Sequence, residues 1–314
     1  MPRSKQVRTL VLSGALAIGC RAGLGPGQWV DVPRAAGPPV AYRYLGPPGS
    51  ADGVVILIGL PGQARLPQRL VERGMAAVVP ALDRESMFLR PNVMDQIRDI
   101  VEDAQRRTGA PPGVVAIGGI SLGGTAAVRY AEHCASGRCD SAATPRAVFA
   151  VDAPLDMERL WRSATVILGR GAPESNLQET QWLLDRLTNV LGGPPDIARA
   201  SYAAYSPFLY FARDGGNARL LLRTPLRLYT EPDIDYWVEQ RRYDYYNTNA
   251  FDAAGLTNRL LLSGHEDVAL ITTSGQGFRP DGTRNPHSWS IVDEDDLVRW
   301  ITDRLSRTPI RATP

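Results

Sequence analysis

The segment Gly119-Ile120-Ser121-Leu122-Gly123-Gly124 has the residue types and spacing to do chemistry. It follows the apolar run Val114 to Gly118 and precedes the helical run Thr125 to Cys134. A serine on a sharp turn from buried strand to helix is a nucleophile elbow. The turn holds the nucleophile in an unfavourable backbone conformation, so its neighbours two residues away must be small. Gly119 and Gly123 meet that need. The helix N-terminus beyond the turn aims free N–H groups and positive dipole at a developing oxyanion. A serine hydroxyl also needs a base, and the base needs an orienting group. Three histidines are on offer, His133, His265 and His287.

The elements that must position these residues read as strands alternating with helices. Gln28 to Val32 and Val40 to Leu45 look like short edge strands. Val54 to Gly59, Ala76 to Pro80, Val114 to Gly118 and Ala147 to Asp152 are continuous apolar runs, as in strands buried on both faces. Gln68 to Gly74 reads as a short helix. Asn92 to Gly109 carries Val93, Ile97, Ile100, Val101 and Ala104 at helical spacing and ends on glycine. Residues 157–222 hold no strong strand; they hold helical patches such as Thr180 to Leu191 and the aromatics Tyr202, Tyr205, Phe208, Tyr210 and Phe211. Alternation resumes with a strand at Leu226 to Tyr229, a helix at Asn249 to Leu262, a strand at Val268 to Thr273 and a helix at Glu294 to Leu305. This order implies an α/β fold with a mostly parallel central sheet flanked by helices.

With the elbow and this strand order together, residues 28–308 resemble the α/β-hydrolase superfamily, of the serine hydrolase and esterase type. The resemblance implies a serine, then an acid, then a histidine in chain order, each on a loop at the C-terminal edge of the sheet. Ser121 is then the nucleophile. His133 lies twelve residues along the helix from Ser121, roughly 18 Å away at about 1.5 Å per residue. His265 precedes the last strand and so sits at the wrong sheet edge, unless Leu260 to Leu262 is itself strand. His287 follows the last strand, where the superfamily keeps its base. The acid is implied after the strand Leu226 to Tyr229, where Glu231, Asp233 and Asp235 stand. Asp233 is favoured by its distance past the strand, with Glu231 and Asp235 as alternatives. Asp152 and Asp156 follow the preceding strand, where a minority of members carry the acid. The oxyanion hole is assigned to the N–H groups of Leu122 and Leu60. The superfamily often has His-Gly where this chain has Gly59-Leu60, and Pro61 cannot donate. Residues 157–222 stand where many members insert a helical cap.

Composition bounds the reading. Of 314 residues, 44% are hydrophobic and 22% charged, which excludes a disordered chain. The formal charge is +2, too little for a nucleic-acid binder working through bulk charge. Lys5 is the only lysine, a bias read as genomic composition.

The N-terminus explains the charge excess and the odd count of 3 cysteines. Arg3, Lys5 and Arg8 precede an apolar run from Leu10 to Gly19, too short to span a bilayer, which needs roughly 20 residues. Leu16-Ala17-Ile18-Gly19-Cys20 resembles a bacterial lipobox, with Ala17 where leucine is commoner. Residues 1–19 then form a signal peptide, Cys20 takes a lipid, and 20–27 is a linker. The 35 basic residues fall by three on cleavage, to one fewer than the 33 acidic ones. Cys134 and Cys139 flank a Gly-containing loop and are expected to pair in an oxidising compartment, closing a loop worth about 2 kcal/mol. Zinc spacing is lacking around them, so no metal is assigned.

The sequence thus reads as an exported, cell-envelope serine hydrolase of carboxylic esters, anchored through a lipid at Cys20. It works on a small-molecule or acylated substrate without a cofactor or nucleic-acid partner. A serine peptidase, an acyltransferase and a non-catalytic surface binding protein remain alternatives. Substrate and oligomeric state are left open by the sequence.

Overall fold

Eight strands form one sheet in the computed structural model, in the order β1-β2-β4-β3-β5-β6-β7-β8. Residues 27–307 are described, apart from 35–36, 84–86, 88–91 and 172. The expected signal segment and Cys20 lie outside the described residues. The strands are β1 (Gln28–Val32), β2 (Val40–Leu45), β3 (Gly53–Ile58), β4 (Met75–Pro80), β5 (Val115–Ile120), β6 (Ala147–Val151), β7 (Leu226–Thr230) and β8 (Val268–Thr272). Each expected strand is present. β1 pairs antiparallel to β2, and β2 antiparallel to β4. From β4 through β3, β5, β6 and β7 to β8 all pairing is parallel. Every residue of β3, β4 and β6 is buried, which is why those segments read as unbroken apolar runs.

Helices α1 (Leu66–Val71), α2 (Val93–Thr108), α3 (Leu122–His133), α4 (Met157–Gly169), α5 (Glu174–Leu191), α6 (Arg199–Tyr205), α7 (Ile234–Tyr236), α8 (Asn249–Leu262) and α9 (Glu294–Ser306) connect the strands. Alternate residues of β3 feed opposite cores. Val54, Ile56 and Ile58 pack with α2, α3 and α8, and Val55 and Leu57 pack with α1 and α9. Each buried aliphatic side chain contributes roughly 1.5–3 kcal/mol. The period-3.6 stripe on α2 supplies Ile97, Ile100, Val101 and Ala104, and Gly109 closes the helix in the left-handed region at φ 63°. The fold is that of the α/β-hydrolases.

Several boundaries differ from the sequence reading, two of them at the helices that follow β3 and β5. The helix expected at Gln68 to Gly74 begins at Leu66, because Pro67 is tolerated in a first turn whose N–H groups have no helical partner. The helix after the elbow begins at Leu122, not Thr125, so Gly123 and Gly124 lie in its first turn. Cys134 and Cys139 are joined in a disulfide across the turn that ends this helix.

Between β6 and β7, α4, α5 and α6 build a third apolar cluster from Met157, Leu160, Leu187, Leu191 and Tyr202. It also takes in Leu122 beside the elbow. A buried ion pair ties this layer to α8. Arg159 and Asp252 meet at 2.5 Å with side chains 1% and 0% exposed. Asp252 also accepts the N–H groups of Leu155 and Asp156. Removing either partner would strand a buried charge, at a cost of about 3–5 kcal/mol. Asp156 caps α4 by accepting the Arg159 N–H. Burial and the nearby Asp252 charge push its carboxyl up to about 6, against the pull of the Tyr210 and Arg159 N–H bonds and the Arg159 charge.

Candidate active site

Ser121 takes φ 55° and ψ −129°, a conformation that costs a non-glycine residue about 1–3 kcal/mol. Its N–H bonds the Val151 carbonyl at 2.9 Å and its own carbonyl accepts the Thr125 N–H. The turn is thereby locked between β5, β6 and α3. The close approach demands glycine on both sides. A Cβ at Gly119 would stand 2.2 Å from the Ile58 carbonyl oxygen, and one at Gly123 would stand 2.3 Å from the same atom.

The carboxylate that meets His287 belongs to Asp152, at the end of β6. Asp152 Oδ2 lies 2.5 Å from His287 Nδ1. Asp152 is also left-handed, at φ 42°, which aspartate tolerates better than most residues. Its N–H bonds the Tyr229 carbonyl, its other carboxylate oxygen accepts the Thr230 hydroxyl at 3.1 Å, and its carbonyl accepts the Asn249 amide. Burial alone would lower the basicity of His287. The Asp152 bond and charge outweigh burial, with Glu179 adding and Arg241 subtracting, so the imidazole is held above its ordinary value.

Asp233, the acid expected from sequence, and its alternatives Glu231 and Asp235 do not meet His287, which corrects that expectation. Glu231 is buried and accepts the Thr273 hydroxyl, the Gln276 and Gly277 N–H groups and the Arg284 guanidinium. Burial would raise its carboxyl, but these four donors hold it below the usual range. Asp233 caps α7 through the Tyr236 N–H and meets Arg284 at 2.5 Å. Asp235 is exposed in the first turn of α7. Glu231 and Asp233 therefore grip Arg284, three residues ahead of His287, and hold the loop that presents the histidine.

His265 is buried at the start of β8. Its Nδ1 accepts the Asp267 N–H, so Nε2 carries the proton given to the Thr224 carbonyl. This is a structural histidine. His133 ends α3, away from the cavity that holds His287.

Ser121, Asp152 and His287 line one cavity of about 590 Å³. Gly59 lines it from the loop after β3, while Leu60, the residue expected there, packs its side chain with the core beneath α1 and α9. Leu122 follows the nucleophile and also lines the cavity. The apolar wall is supplied by Met87, Leu160, Ala164, Ile167, Leu183 and Trp237. Residues of α4 and α5 therefore cover the elbow, within the segment 157–222. Of the aromatics in that segment, Tyr202 is in the core and Phe211 is 74% exposed, so neither faces the substrate space. Sequence reading missed the segment between β7 and α8, which brings Trp237, Arg241, Tyr243 and Asn247 to the cavity. No group of three or more His, Cys, Asp or Glu side chains able to hold a metal ion occurs among the described residues. No described helix is long and apolar enough to cross a membrane.

Several solved structures share the fold. An esterase from Rhizomucor miehei superposes with a TM-score of 0.57 at 16% identity, over 90% of this chain and 85% of that one. MPT51 (FbpC1) of Mycobacterium tuberculosis gives 0.58 at 16%, over 90% and 98%. Acylaminoacyl peptidase of Pyrococcus horikoshii gives 0.58 at 12%, over 90% of this chain but 42% of that one. No protein-family profile and no curated protein sequence matches the chain.

Proposed function

We propose that this chain is a serine hydrolase of carboxylic esters, with Ser121 as nucleophile, His287 as general base and Asp152 as the acid. The observation that carries the reading is the 2.5 Å contact of Asp152 with His287 Nδ1, on the cavity that Ser121 also lines. Asp152 claims Nδ1, so Nε2 is the nitrogen that takes the Ser121 proton as Oγ attacks the acyl carbon. His287 then returns the proton to the alcohol oxygen as the ester C–O bond breaks. Water, deprotonated by the same nitrogen, attacks the acyl-enzyme and releases the acid. The oxyanion in both steps is held by the Leu122 N–H and by a second N–H from the Gly59-Leu60 loop. One such donor is worth about 10²–10³ in kcat. Esterases with the same fold support the ester reading.

The test is labelling with a fluorophosphonate probe. Native protein is expected to label and Ser121→Ala is not. An unlabelled native protein, or equal labelling of the variant, returns the chain to the binding-protein alternative. Esters against aminoacyl amides and alcohol acceptors then separate esterase from peptidase and acyltransferase.

The raised basicity of His287 fixes the pH dependence. The base works only when neutral, so kcat/KM should rise with pH along a limb centred above the ordinary imidazole value of about 6.5. The protonated ring on Asp152 also stabilises the fold. That stabilisation is complete below the unfolded pKa and lost as pH rises through the folded one, so the active form works after giving it up. A limb centred below the ordinary value would contradict the Asp152–His287 pairing in solution.

Export and lipid anchoring complete the proposal. They rest on Leu16-Ala17-Ile18-Gly19-Cys20 and are supported by the Cys134–Cys139 disulfide, a bond favoured in oxidising compartments. Metabolic labelling with a palmitate analogue should mark the native protein, and Cys20→Ser should abolish the mark. Equal labelling of both would refute the anchor.

A further inference from the structure

The cavity that holds Ser121 contains charge that ester hydrolysis does not require. Arg241 lines it, and so do Arg279 and Glu179. Arg279 is exposed at the rim. Glu179 is already engaged within the protein. Arg241 differs from both. It closes the helical turn Trp237–Arg241 and is half-buried. Its Nη1 donates to the side-chain carbonyl of Asn176, a neutral acceptor on α5. No carboxylate lies within ion-pair distance of it, and its Nε and Nη2 have no hydrogen-bond partner, among the described residues. Fourteen other arginines among the described residues do form ion pairs with carboxylates, as Arg159 does with Asp252 and Arg284 with Glu231 and Asp233. A guanidinium left facing a cavity, beside an apolar wall of Leu160, Ala164, Ile167 and Leu183, lacks only the anion that would match its fork.

We infer that Arg241 is an anion-binding, specificity-determining residue, and that the substrate is an ester carrying a carboxylate in the part that fills the cavity. This rests on the proposed hydrolase reading and narrows its substrate class. Asn176 fixes one edge of the guanidinium and leaves the other donors for the substrate. The apolar wall takes the carbon chain between the carboxylate and the scissile bond. Charge steering into a walled cleft adds to the encounter rate of such a substrate.

The experiment uses two matched pairs of esters on the full chain. One pair is 4-nitrophenyl hydrogen glutarate and 4-nitrophenyl hexanoate, with the charge on the acyl side. The other is 4-acetoxybenzoate and its methyl ester, with the charge on the alcohol side. All are read at one pH on the plateau of the native pH–rate profile. In one pair the anionic ester is expected to lead in kcat/KM by about 10-fold, the usual reach of a charge-assisted bond. Arg241→Gln should collapse that ratio, Arg241→Lys should keep part of it, and added salt should shrink it. Glutarate alone should also slow fluorophosphonate labelling of the native protein and fail to do so in Arg241→Gln. If Arg241→Gln does not fold, the salt dependence and glutarate protection of the native protein decide. A neutral ester leading in both pairs, or no protection by glutarate, overturns the anion site. Failure of Ser121 to label at all overturns the hydrolase reading beneath it.

Discussion

Asp152→Asn is expected to lower kcat by about 10⁴-fold while leaving the fold intact, as loss of the orienting carboxylate does in serine hydrolases of this chemistry. The amide can still occupy the space beside His287 Nδ1, but it offers an N–H where the ring needs an acceptor. The imidazole then adopts the tautomer that presents a proton, not a lone pair, to Ser121. The variant also loses the contact that holds the imidazole basic, so the acid limb of its residual activity should move to lower pH. Asp233→Asn should do neither. Its side-chain oxygen still caps α7, and it weakens one partly exposed contact to Arg284, at a cost within about 1 kcal/mol in stability. Parallel pH–rate profiles of the two variants, with circular dichroism for the fold, make the comparison. A large rate loss in Asp233→Asn with Asp152→Asn near native would reverse the assignment.

That reversal of acids shows what the sequence could and could not carry. Ser121 and His287 were legible because backbone order identifies them. One sits between a buried strand and a helix, and the other follows the last strand. The acid depends on which of several loop carboxylates points at the imidazole, and one-dimensional order does not contain that. Three acids after β7 looked richer than Asp152 and Asp156 after β6. In the structure Glu231 and Asp233 are consumed locally, because Arg284 and the N–H groups of Gln276 and Gly277 need acceptors, and Asp235 is exposed. Asp152 could have been suspected from one feature. It ends a run buried on both faces, where an unpaired carboxylate is costly unless a partner waits for it. The strands were legible for the same reason in reverse, since burial on both faces leaves no room for polar residues. The segment 231–248 was opaque because it is held by local hydrogen bonds and ring contacts, such as the stacking of Trp237 on Tyr243, and shows no period. It nevertheless supplies Arg241, so the part of the site that distinguishes substrates is the part least visible in sequence.

Ser121→Gly should have the larger effect on rate and the opposite effect on stability. Loss of the nucleophile removes covalent catalysis, for which a drop of about 10⁶-fold in kcat is the usual scale. What remains is the contribution of the oxyanion donors and of binding. The same substitution releases a residue held at φ 55°, where a side chain costs about 1–3 kcal/mol. Glycine loses more chain entropy on folding, which returns roughly 0.5–1 kcal/mol of that. A net gain of about 1 kcal/mol is left, or a rise of roughly 2 °C in Tm for a domain of this size. Ser121→Ala supplies the control. It removes the hydroxyl but keeps a Cβ in the same conformation, so it should lose the same activity and gain no stability. Thermal denaturation of the three proteins separates the contributions. If Ser121→Gly melts at or below Ser121→Ala, the strain at the elbow is not stored where the backbone angles place it. If it melts above both, the chain tolerates a less stable turn because only that turn presents a hydroxyl to His287.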